Sequence, residues 1–172
     1  MNQKSFSTLK LNRALLRNLE SLGYHTMTPI QAKALPFVLS GKDVIAQGQT
    51  GSGKTAVFGL GILDTLNVKL WRVQGLVLCP TRELANQVAD EIRRLARAIH
   101  NIKIVTLCGG MAQGAQSRSL EHGAHIIVGT PGRIEDHLRK GRINLKYLKT
   151  FVLDEADRML EMGFQETLDA II

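Results

Sequence analysis

The chain is 172 residues long, and its contents of 44% hydrophobic and 22% charged residues are those of a soluble globular protein. This length fits one ordinary domain and is enough to bury most of the apolar surface. No apolar run approaches membrane-spanning length, and no apolar segment of a secretory leader follows the first residues. The formal net charge of +7 suits a polyanionic partner, although charge alone identifies none.

Two cysteines, Cys79 and Cys108, lie far apart in the sequence, each in an apolar run that resembles a strand. Their spacing matches no metal-binding pattern. We therefore expect buried, reduced thiols, as is usual in the cytosol, and a cytoplasmic protein.

Helix and strand signals alternate along the chain. A helical pattern from Leu9 to Leu22 ends at Gly23, because glycine commonly terminates a helix. An amphipathic helix is predicted from Leu84 to Ile99, and its charged face is either solvated surface or, as the less expected alternative, a nucleic-acid contact. Five continuous apolar runs predict strands covered on both faces, which is typical of a parallel α/β sheet. These runs are residues 43–46, 75–79, 103–107, 125–128 and 150–153.

The segment from Gly48 to Thr55 matches the phosphate-loop pattern G-x-x-x-x-G-K-[ST] in full. A predicted strand precedes it and an apolar helical segment follows it, whereas a merely flexible turn would not need these flanks. The backbone N–H groups and the helix N-terminus would bind an anion. Lys54 would reach the β- and γ-phosphates, and the Thr55 hydroxyl would ligate Mg²⁺. The predicted nucleoside triphosphate contacts are Gly48, Gln49, Thr50, Gly51, Ser52, Gly53, Lys54 and Thr55.

Carboxylates follow the last predicted strand, in the sequence Asp154-Glu155-Ala156-Asp157. Ligands of parallel sheets bind at the carboxyl ends of the strands, so Asp154 is expected to hold Mg²⁺, directly or through water. Glu155 would orient and deprotonate the attacking water. An acidic helix N-terminus would produce the same residues without function. Downstream of an intact phosphate loop, we favour the catalytic interpretation, with Lys54, Asp154 and Glu155 as the catalytic residues.

Together with the phosphate loop, Asp154–Asp157 resembles the motif that names the DEAD-box RNA helicases, and the other motifs of that family occur in order. Gly23-Tyr24 and Thr28–Gln31 are similar to its Q motif, with Phe6 as the upstream aromatic residue. Its three nucleic-acid elements are matched by Pro80–Ala85, Gly109-Gly110 and Thr130–Arg133. One departure is Gly48, where the family more often has alanine.

The resemblance implies an α/β fold, namely a RecA-like P-loop domain with a parallel β-sheet and helices on both faces. It also implies that Gln31 reads the adenine edge of ATP and that Phe6 stacks on or beside the base, with Tyr24 and Asp157 as further nucleotide contacts. RNA would be bound through its backbone, without sequence specificity. The implied RNA contacts are Pro80, Thr81, Arg82, Gly109, Gly110, Thr130, Pro131, Gly132 and Arg133.

Within the family, the runs 78–80, 93–97 and 107–110 look most like the bacterial ribosomal-RNA helicases, so ribosomal RNA is the implied partner. Family members continue with a Ser-Ala-Thr motif on a further strand and with a second RecA-like domain. We expect residues 1–172 to be one N-terminal RecA-like domain that is truncated after the DEAD-box strand. In this domain, residues 1–31 would form a helix and the Q motif, and residues 43–172 would extend from the P-loop to the DEAD box. Such a fragment would lack the strand between the phosphate-loop strand and the Asp154 strand.

Three hypotheses follow. The chain is the N-terminal domain of an ATP-dependent RNA helicase, or another P-loop ATPase such as a kinase or a transporter motor, or a module that binds RNA or nucleotide without turnover. Under the second hypothesis, the matches of Gln31 and Thr130–Arg133 to helicase motifs would be coincidental. The third is compatible with the first, because it concerns the fragment rather than its parent.

Overall fold

The structure is a computed structural model that describes residues 4–110 and 112–172. This part of the chain forms two compact units. The first takes residues up to 66 together with 91–100, and the second takes residues 67–90 together with 101–172. The boundary at residues 90 and 91 falls inside one helix, which therefore contributes to both units.

The first unit is helical. Leu15 and Leu19, one turn apart on its first α-helix, are buried as the amphipathic pattern requires. Its second and third helices approach so closely that a side chain at Gly61 would collide with Val38. The elements are a 3-10 turn at Phe6–Thr8, α1 at Arg13–Ser21, α2 at Pro29–Leu39 and α3 at Lys54–Thr65.

The second unit contains a parallel sheet of four strands in the order β2-β3-β1-β4. The strands are β1 at Gly75–Leu78, β2 at Ile104–Leu107, β3 at Ile126–Gly129 and β4 at Thr150–Leu153. The helices are α4 at Arg82–Leu95, which passes into the first unit, α5 at Gln113–Leu120, α6 at Pro131–Arg139, α7 at Ala156–Glu161 and α8 at Gln165–Ile171. The predicted α/β class with a parallel sheet is confirmed.

The four strands end in register. Leu78 at the end of β1 pairs with Gly129 on one side and with Leu153 on the other, and Gly129 pairs with Leu107 at the end of β2. The segments that follow the four strands therefore leave the sheet at one edge. We call this edge, with residues 79–82, 108–110, 130–133 and 154–155, the strand-end edge.

Burial differs between the central and outer strands. Every residue of β1 and β3 is buried, as continuous apolar runs predict, and Leu76, Ile127 and Met159 belong to one hydrophobic core. Strand β4 is only partly buried, and Leu153 is 36% exposed. The prediction that all strands are covered on both faces is therefore confirmed for β1 and β3 and wrong for β4, whereas in β2 only alternate residues are fully buried.

The predicted strand at residues 43–46 is also wrong. This segment has no regular secondary structure, Val44 is exposed, and Ile45 is fully exposed. A strand exists only where a neighbour pairs with its backbone N–H and C=O groups, and no strand of the described chain pairs with this segment. The other four predicted strands are confirmed to within about a residue at each end, which is the usual uncertainty of such boundaries.

Two helix boundaries differ from the prediction because side chains cap the helices. Helix α1 begins at Arg13, since the Asn12 Oδ1 accepts a hydrogen bond of 2.8 Å from the Ala14 N–H. Helix α4 ends at Leu95 rather than at Ile99, where the buried Asn18 Nδ2 donates to the Leu95 carbonyl at 2.7 Å and to the preceding carbonyl at 3.2 Å. The stop at Gly23 is confirmed, with a φ of 80°.

Candidate nucleotide site and nucleic-acid interface

The phosphate loop ends in the predicted helix, because α3 begins at Lys54. Gly51 and Gly53 have φ values of 80° and 92°, which glycine adopts without strain. A side chain at Gly53 would also collide with the Gln31 amide. No side chain caps the N-terminus of α3. Its first N–H groups are therefore directed into the loop without a side-chain acceptor, as an anion site requires.

Two polar groups of the loop fit a bound phosphate. The Lys54 Nζ donates to the Gly48 carbonyl and lies 3.4 Å from the Gln49 carbonyl, so the cation is satisfied within the loop itself. The Ser52 Oγ is buried and has no hydrogen-bond partner among the residues that the structure describes. A buried hydroxyl without a partner is costly, and a phosphate oxygen would satisfy it. The loop therefore fits the polyphosphate of a nucleotide.

The predicted adenine reader, Gln31, is part of a helix cap. Its side chain is 3% exposed, its Oε1 accepts from the Thr28 N–H at 2.9 Å, and its Nε2 donates to the Gly53 carbonyl at 3.2 Å. Thr28 in turn donates from Oγ1 to the Ser52 carbonyl at 2.8 Å. This capping box at the start of α2 also holds the phosphate loop. The role of Gln31 in reading adenine stays a prediction, since both ends of its amide are bonded within the protein.

The two aromatic residues predicted near the base pack against each other. The Phe6 ring is 2% exposed and lies edge-to-face on the Tyr24 ring, with 5.9 Å between their centroids. The Tyr24 hydroxyl donates to the Glu91 carboxylate. Burial first, and then the hydrogen bond and charge of Glu91, raise the pKa of Tyr24 to about 12. Stacking of Phe6 on a base stays a prediction, because little of its ring is exposed.

The carboxylates follow β4 as predicted. Asp154 is buried, and its N–H donates to the Leu78 carbonyl at 2.9 Å, which continues the pairing of β4 with β1. Glu155 occupies the N-cap position of α7 with a φ of 53° and a ψ of 51°, its side chain makes no capping hydrogen bond to the described helix, and its Oε2 lies 3.3 Å from the Arg158 Nη1. Left-handed backbone at a residue other than glycine is strained, and such strain concentrates at functional sites. Asp157 lies exposed in the first turn of α7.

The three predicted RNA elements meet at the strand-end edge. Pro80, Thr81 and Arg82 follow β1, Gly109 and Gly110 follow β2, and Thr130 to Arg133 follow β3. A Cβ atom at Gly110 would lie 3.6 Å from the Arg82 Nη1, which places that guanidinium beside the glycine pair. The Thr130 N–H donates to the Leu107 carbonyl at 3.1 Å and holds the third element against β2. The strand ends therefore bring together residues from distant parts of the sequence.

The charges along this edge are mixed, with cations acting on the end of β2 and the carboxylates of Asp154 and Glu155 acting on the end of β1. Burial raises the pKa of the Cys108 thiol, and the Thr130 backbone and the guanidinium groups of Arg82 and Arg133 oppose that rise. Both cations therefore act on the end of β2. Cys79 and Cys108 are free and buried, as predicted, and burial raises the pKa of Cys79 as well.

Two residues that the sequence analysis did not single out join the RNA elements. The buried Gln116 of α5 donates from Nε2 to the Cys108 carbonyl at 2.8 Å, and its Oε1 accepts from the Arg133 Nη1 at 3.0 Å. The same oxygen lies 3.4 Å from the Nε2 of the buried His137. Helix α5 is polar, so no apolar pattern marks Gln116 in the sequence. The only available signal was a glutamine a few residues after the glycine pair.

No group of three or more His, Cys, Asp or Glu side chains that could hold a metal ion is present within residues 4–110 and 112–172. The predicted Mg²⁺ ligands are Thr55 and Asp154, and that assignment stays a prediction. None of the helices in the described part of the chain is both long and apolar enough to cross a membrane.

Known proteins with similar sequences share these motifs. The family model described as DEAD/DEAH box helicase matches residues 28–172. The chain is 60% identical over 169 residues to "ATP-dependent RNA helicase DbpA" of Escherichia coli (strain K12), covering 98% of this chain and 37% of that protein. It is 46% identical over 168 residues to "DEAD-box ATP-dependent RNA helicase CshA" of Geobacillus kaustophilus (strain HTA426), covering 98% of this chain and 36% of that protein. The chain thus spans about a third of the length of these relatives.

A solved structure is also similar. The crystal structure of a DEAD box protein from the hyperthermophile Methanococcus jannaschii superposes with a TM-score of 0.91 and 43% sequence identity. The match covers 97% of this chain and 46% of that one, so the fold is the RecA-like fold that the motifs implied. The resemblance to the DEAD-box helicases stated from the motifs is confirmed, and the helicase DbpA is among the relatives that match nearly the whole chain. With the family model matched from the Q motif through the DEAD box, the chain belongs to the DEAD/DEAH box helicase family.

Proposed function

We propose that this chain is the N-terminal RecA-like domain of an ATP-dependent RNA helicase, in which RNA-stimulated ATP hydrolysis drives local unwinding of RNA duplexes. The observation that carries the proposal is the common register of the strand ends. It brings the DEAD-box carboxylates and three basic or glycine-containing elements to one edge of a single sheet. The matched relatives, which are named as ATP-dependent RNA helicases, support it.

In this proposal the phosphate loop exchanges its internal contacts for contacts with ATP. Lys54 leaves the Gly48 and Gln49 carbonyls and donates to the β- and γ-phosphates. The uncapped N–H groups of α3 and the Ser52 hydroxyl bind further phosphate oxygens. Three predicted nucleotide contacts, Gln31, Phe6 and Tyr24, would recognise the adenine end.

Hydrolysis requires positioning and charge neutralisation more than covalent chemistry. Thr55 and Asp154 would hold Mg²⁺, which when bound neutralises charge on the phosphate oxygens. Glu155 would accept the proton of the attacking water. Its left-handed backbone holds the carboxylate at the start of α7, where the Oε2 also lies 3.3 Å from the Arg158 guanidinium.

RNA would be bound at the strand-end edge through its backbone. Arg82 and Arg133 supply charged donors, Gly110 supplies an exposed backbone, and Thr130 supplies a hydroxyl. Contacts of this kind do not read bases, so binding should be non-specific in sequence and should weaken as salt is raised. We further propose ribosomal RNA as the partner, a role in ribosome assembly and a cytoplasmic location, because the runs at 78–80, 93–97 and 107–110 resemble those of bacterial ribosomal-RNA helicases.

The proposal is tested on the whole protein to which this chain belongs, hereafter the intact protein. Phosphate release is measured at saturating ATP with and without single-stranded RNA. We expect stimulation by RNA. A rate of hydrolysis that does not change with RNA would favour another kind of P-loop ATPase. ATP binding without hydrolysis would favour a non-catalytic module.

The 172-residue chain alone should show no turnover above background, even with RNA. In this proposal a second RecA-like domain supplies arginine side chains that neutralise the γ-phosphate in the transition state. An arginine in this role is worth about 10³–10⁵ in rate. RNA-dependent hydrolysis by the purified chain would show that one domain carries a complete active site.

A further inference from the structure

We propose that Gln116 is a positioning residue for RNA binding, which ties the glycine pair after β2 to the Arg133 guanidinium before RNA arrives. The inference rests on the proposed function, because it assumes that Gly110 and Arg133 contact the RNA backbone. It goes further by assigning a role to a side chain that belongs to none of the recognised motifs.

The hydrogen bonds of Gln116 join two separate elements of the strand-end edge. Its Nε2 donates to the Cys108 carbonyl at 2.8 Å, immediately before Gly109, and its Oε1 accepts from the Arg133 Nη1 at 3.0 Å. Cys108 follows β2 and Arg133 lies in α6, which follows β3. One amide therefore fixes the distance between a backbone donor and a guanidinium donor.

Burial makes this connection stiff. Gln116 is 4% exposed, and its amide is bonded at both ends, so the side chain has little freedom to move. By contrast, Gly109 and Gly110 are exposed, and Gly110 has a φ of 77°. A glycine pair on its own samples many conformations, so an external tie is needed to hold its N–H groups toward a ligand.

His137 contacts the same oxygen of Gln116 that accepts from Arg133. The Gln116 Oε1 can only accept hydrogen bonds, so the His137 Nε2 at 3.4 Å carries the proton. The His137 Nδ1 is buried, and no group in residues 4–110 or 112–172 forms a hydrogen bond with it. The Gln116 oxygen is thus held between two donors, Arg133 and His137, which orients the amide so that its nitrogen must face the Cys108 carbonyl.

The Gln116 amide orients Arg133 without neutralising it. An amide oxygen carries no net charge, so it fixes one N–H group of the guanidinium and leaves the positive charge of that side chain unchanged. A carboxylate in the same place would hold the arginine more tightly but would compete with the phosphate. An amide therefore suits a group that must be placed in advance and still bind an anion.

The test measures RNA binding by the intact protein with Gln116→Met, which keeps the side-chain length and removes both hydrogen bonds. We expect the RNA concentration for half-maximal stimulation to rise roughly tenfold, the size of the loss expected for a charged hydrogen-bond donor. The ATP concentration for half-maximal activity should not change. The slope of log affinity against log salt should become less steep by about 0.7, because one phosphate contact to a single strand is lost.

The matched control is Gln113→Ala. Gln113 lies on the same helix and also donates to a residue of α6, Asp136, but it contacts neither the glycine pair nor Arg133. RNA binding and the salt dependence should match those of the unmodified protein. If Gln116→Met does not fold, Gln116→Asn replaces it, since the shorter amide cannot reach both partners.

A double-mutant cycle separates this inference from the proposed function. Arg133→Ala alone should weaken RNA binding. The double variant Arg133→Ala/Gln116→Met should lose clearly less affinity for RNA than the product of the fold-losses of the two single variants. If Arg133→Ala has no effect, the proposed RNA interface is wrong. The positioning role of Gln116 is wrong if Arg133→Ala weakens RNA binding while Gln116→Met leaves it unchanged. It is also wrong if the loss of RNA affinity in the double variant equals the product of the two single losses.

Discussion

The phosphate loop and the strand-end edge of the sheet are both candidate anion sites, but their donors are held in different ways. In the phosphate loop, Lys54 is bonded to carbonyls of the loop itself, and Gln31 uses both ends of its amide on neighbouring backbone. At the strand-end edge, Arg133 is held by the neutral amide of Gln116, and Gly110 is exposed.

This difference predicts different energetics for the two ligands. Under the proposed function, ATP would have to displace existing hydrogen bonds in the loop, so part of its binding energy would be used to rearrange Lys54. RNA would meet donors that are already placed, so its affinity should depend on the side chains that hold them. The following variants, in order of decreasing effect, test whether the two sites respond in these different ways.

The largest effect is expected for Lys54→Ala, which should abolish RNA-stimulated hydrolysis by the intact protein. The variant removes the side-chain cation that the proposal directs at the γ-phosphate. Phosphate release with and without single-stranded RNA is the measurement. Lys33→Ala, at an exposed position of α2, is the control and should behave like the unmodified protein. Stimulated activity in Lys54→Ala would refute the assignment of the loop.

The next effect is expected for Glu155→Gln, which should slow hydrolysis by a factor on the order of 10² or more while ATP binding stays nearly intact. The amide keeps the shape of the side chain but cannot take a proton from water. Nucleotide affinity and single-turnover hydrolysis are measured together, with Glu161→Gln at the exposed end of α7 as the control. Lost affinity with normal residual hydrolysis would make Glu155 a ligand rather than a base.

Gln31 should show two effects. Gln31→Ala removes the bond to the Thr28 N–H, which is one half of the capping box, and the bond to the Gly53 carbonyl, so we expect a loss of about 1 kcal/mol in the free energy of unfolding together with reduced discrimination against GTP. Gln31→Glu keeps an acceptor for the Thr28 N–H but sets a buried carboxylate oxygen against the Gly53 carbonyl. This variant should lose at least as much stability, and it should also discriminate poorly. Competition of GTP against ATP is the measurement, and an unchanged preference in both variants would mean that adenine is read elsewhere.

The smallest effect concerns pH. Burial, and then the charges of Arg142 and Arg133, hold the pKa of His137 below its ordinary value of 6.5, while Asp136 opposes the shift and Lys140 adds to it. The unfolded chain therefore binds a proton more readily than the folded one. The contribution of His137 to the free energy of unfolding should therefore be complete above about pH 6.5. It should decrease as the pH falls from there toward the pKa of His137 in the folded protein.

The measurement for His137 is the free energy of unfolding in urea at several pH values between about 5 and 8, compared between the unmodified protein and His137→Leu. The variant lacks the group, so its stability should fall less steeply on the acid side. Identical slopes in the two proteins would show that His137 does not contribute to the pH dependence.

Much of the fold could be predicted from local patterns. The runs at 75–79, 103–107, 125–128 and 150–153 are strands because their apolar character is continuous and their neighbours pair with them. The run at 43–46 has the same character and is no strand, because pairing depends on a partner that the segment does not contain in itself. Leu153 is exposed for a similar reason, since covering a strand is a property of the surrounding structure.

The motifs were readable because they are short and contiguous. The phosphate loop, the DEAD box and the three RNA elements each lie within a few residues, so the sequence by itself determined which residues belong to the helicase family and where along the chain they occur. The structure adds the reason for glycine at position 53, since the backbone there is left-handed and a side chain would collide with Gln31. The capping box from Thr28 to Gln31 was equally present in the sequence, although its second role at the phosphate loop was not.

Only the tertiary structure decided how these residues are held. The end of α4 is set by Asn18, the backbone of Glu155 is strained into the left-handed region, and Gln116 joins Cys108 to Arg133. Each of these features depends on hydrogen bonds between groups that are distant in the chain, or on a conformation that local preference disfavours. Local preference describes the conformation that a segment favours in isolation. Buried polar groups need hydrogen-bond partners, and which groups become partners depends on how the elements pack.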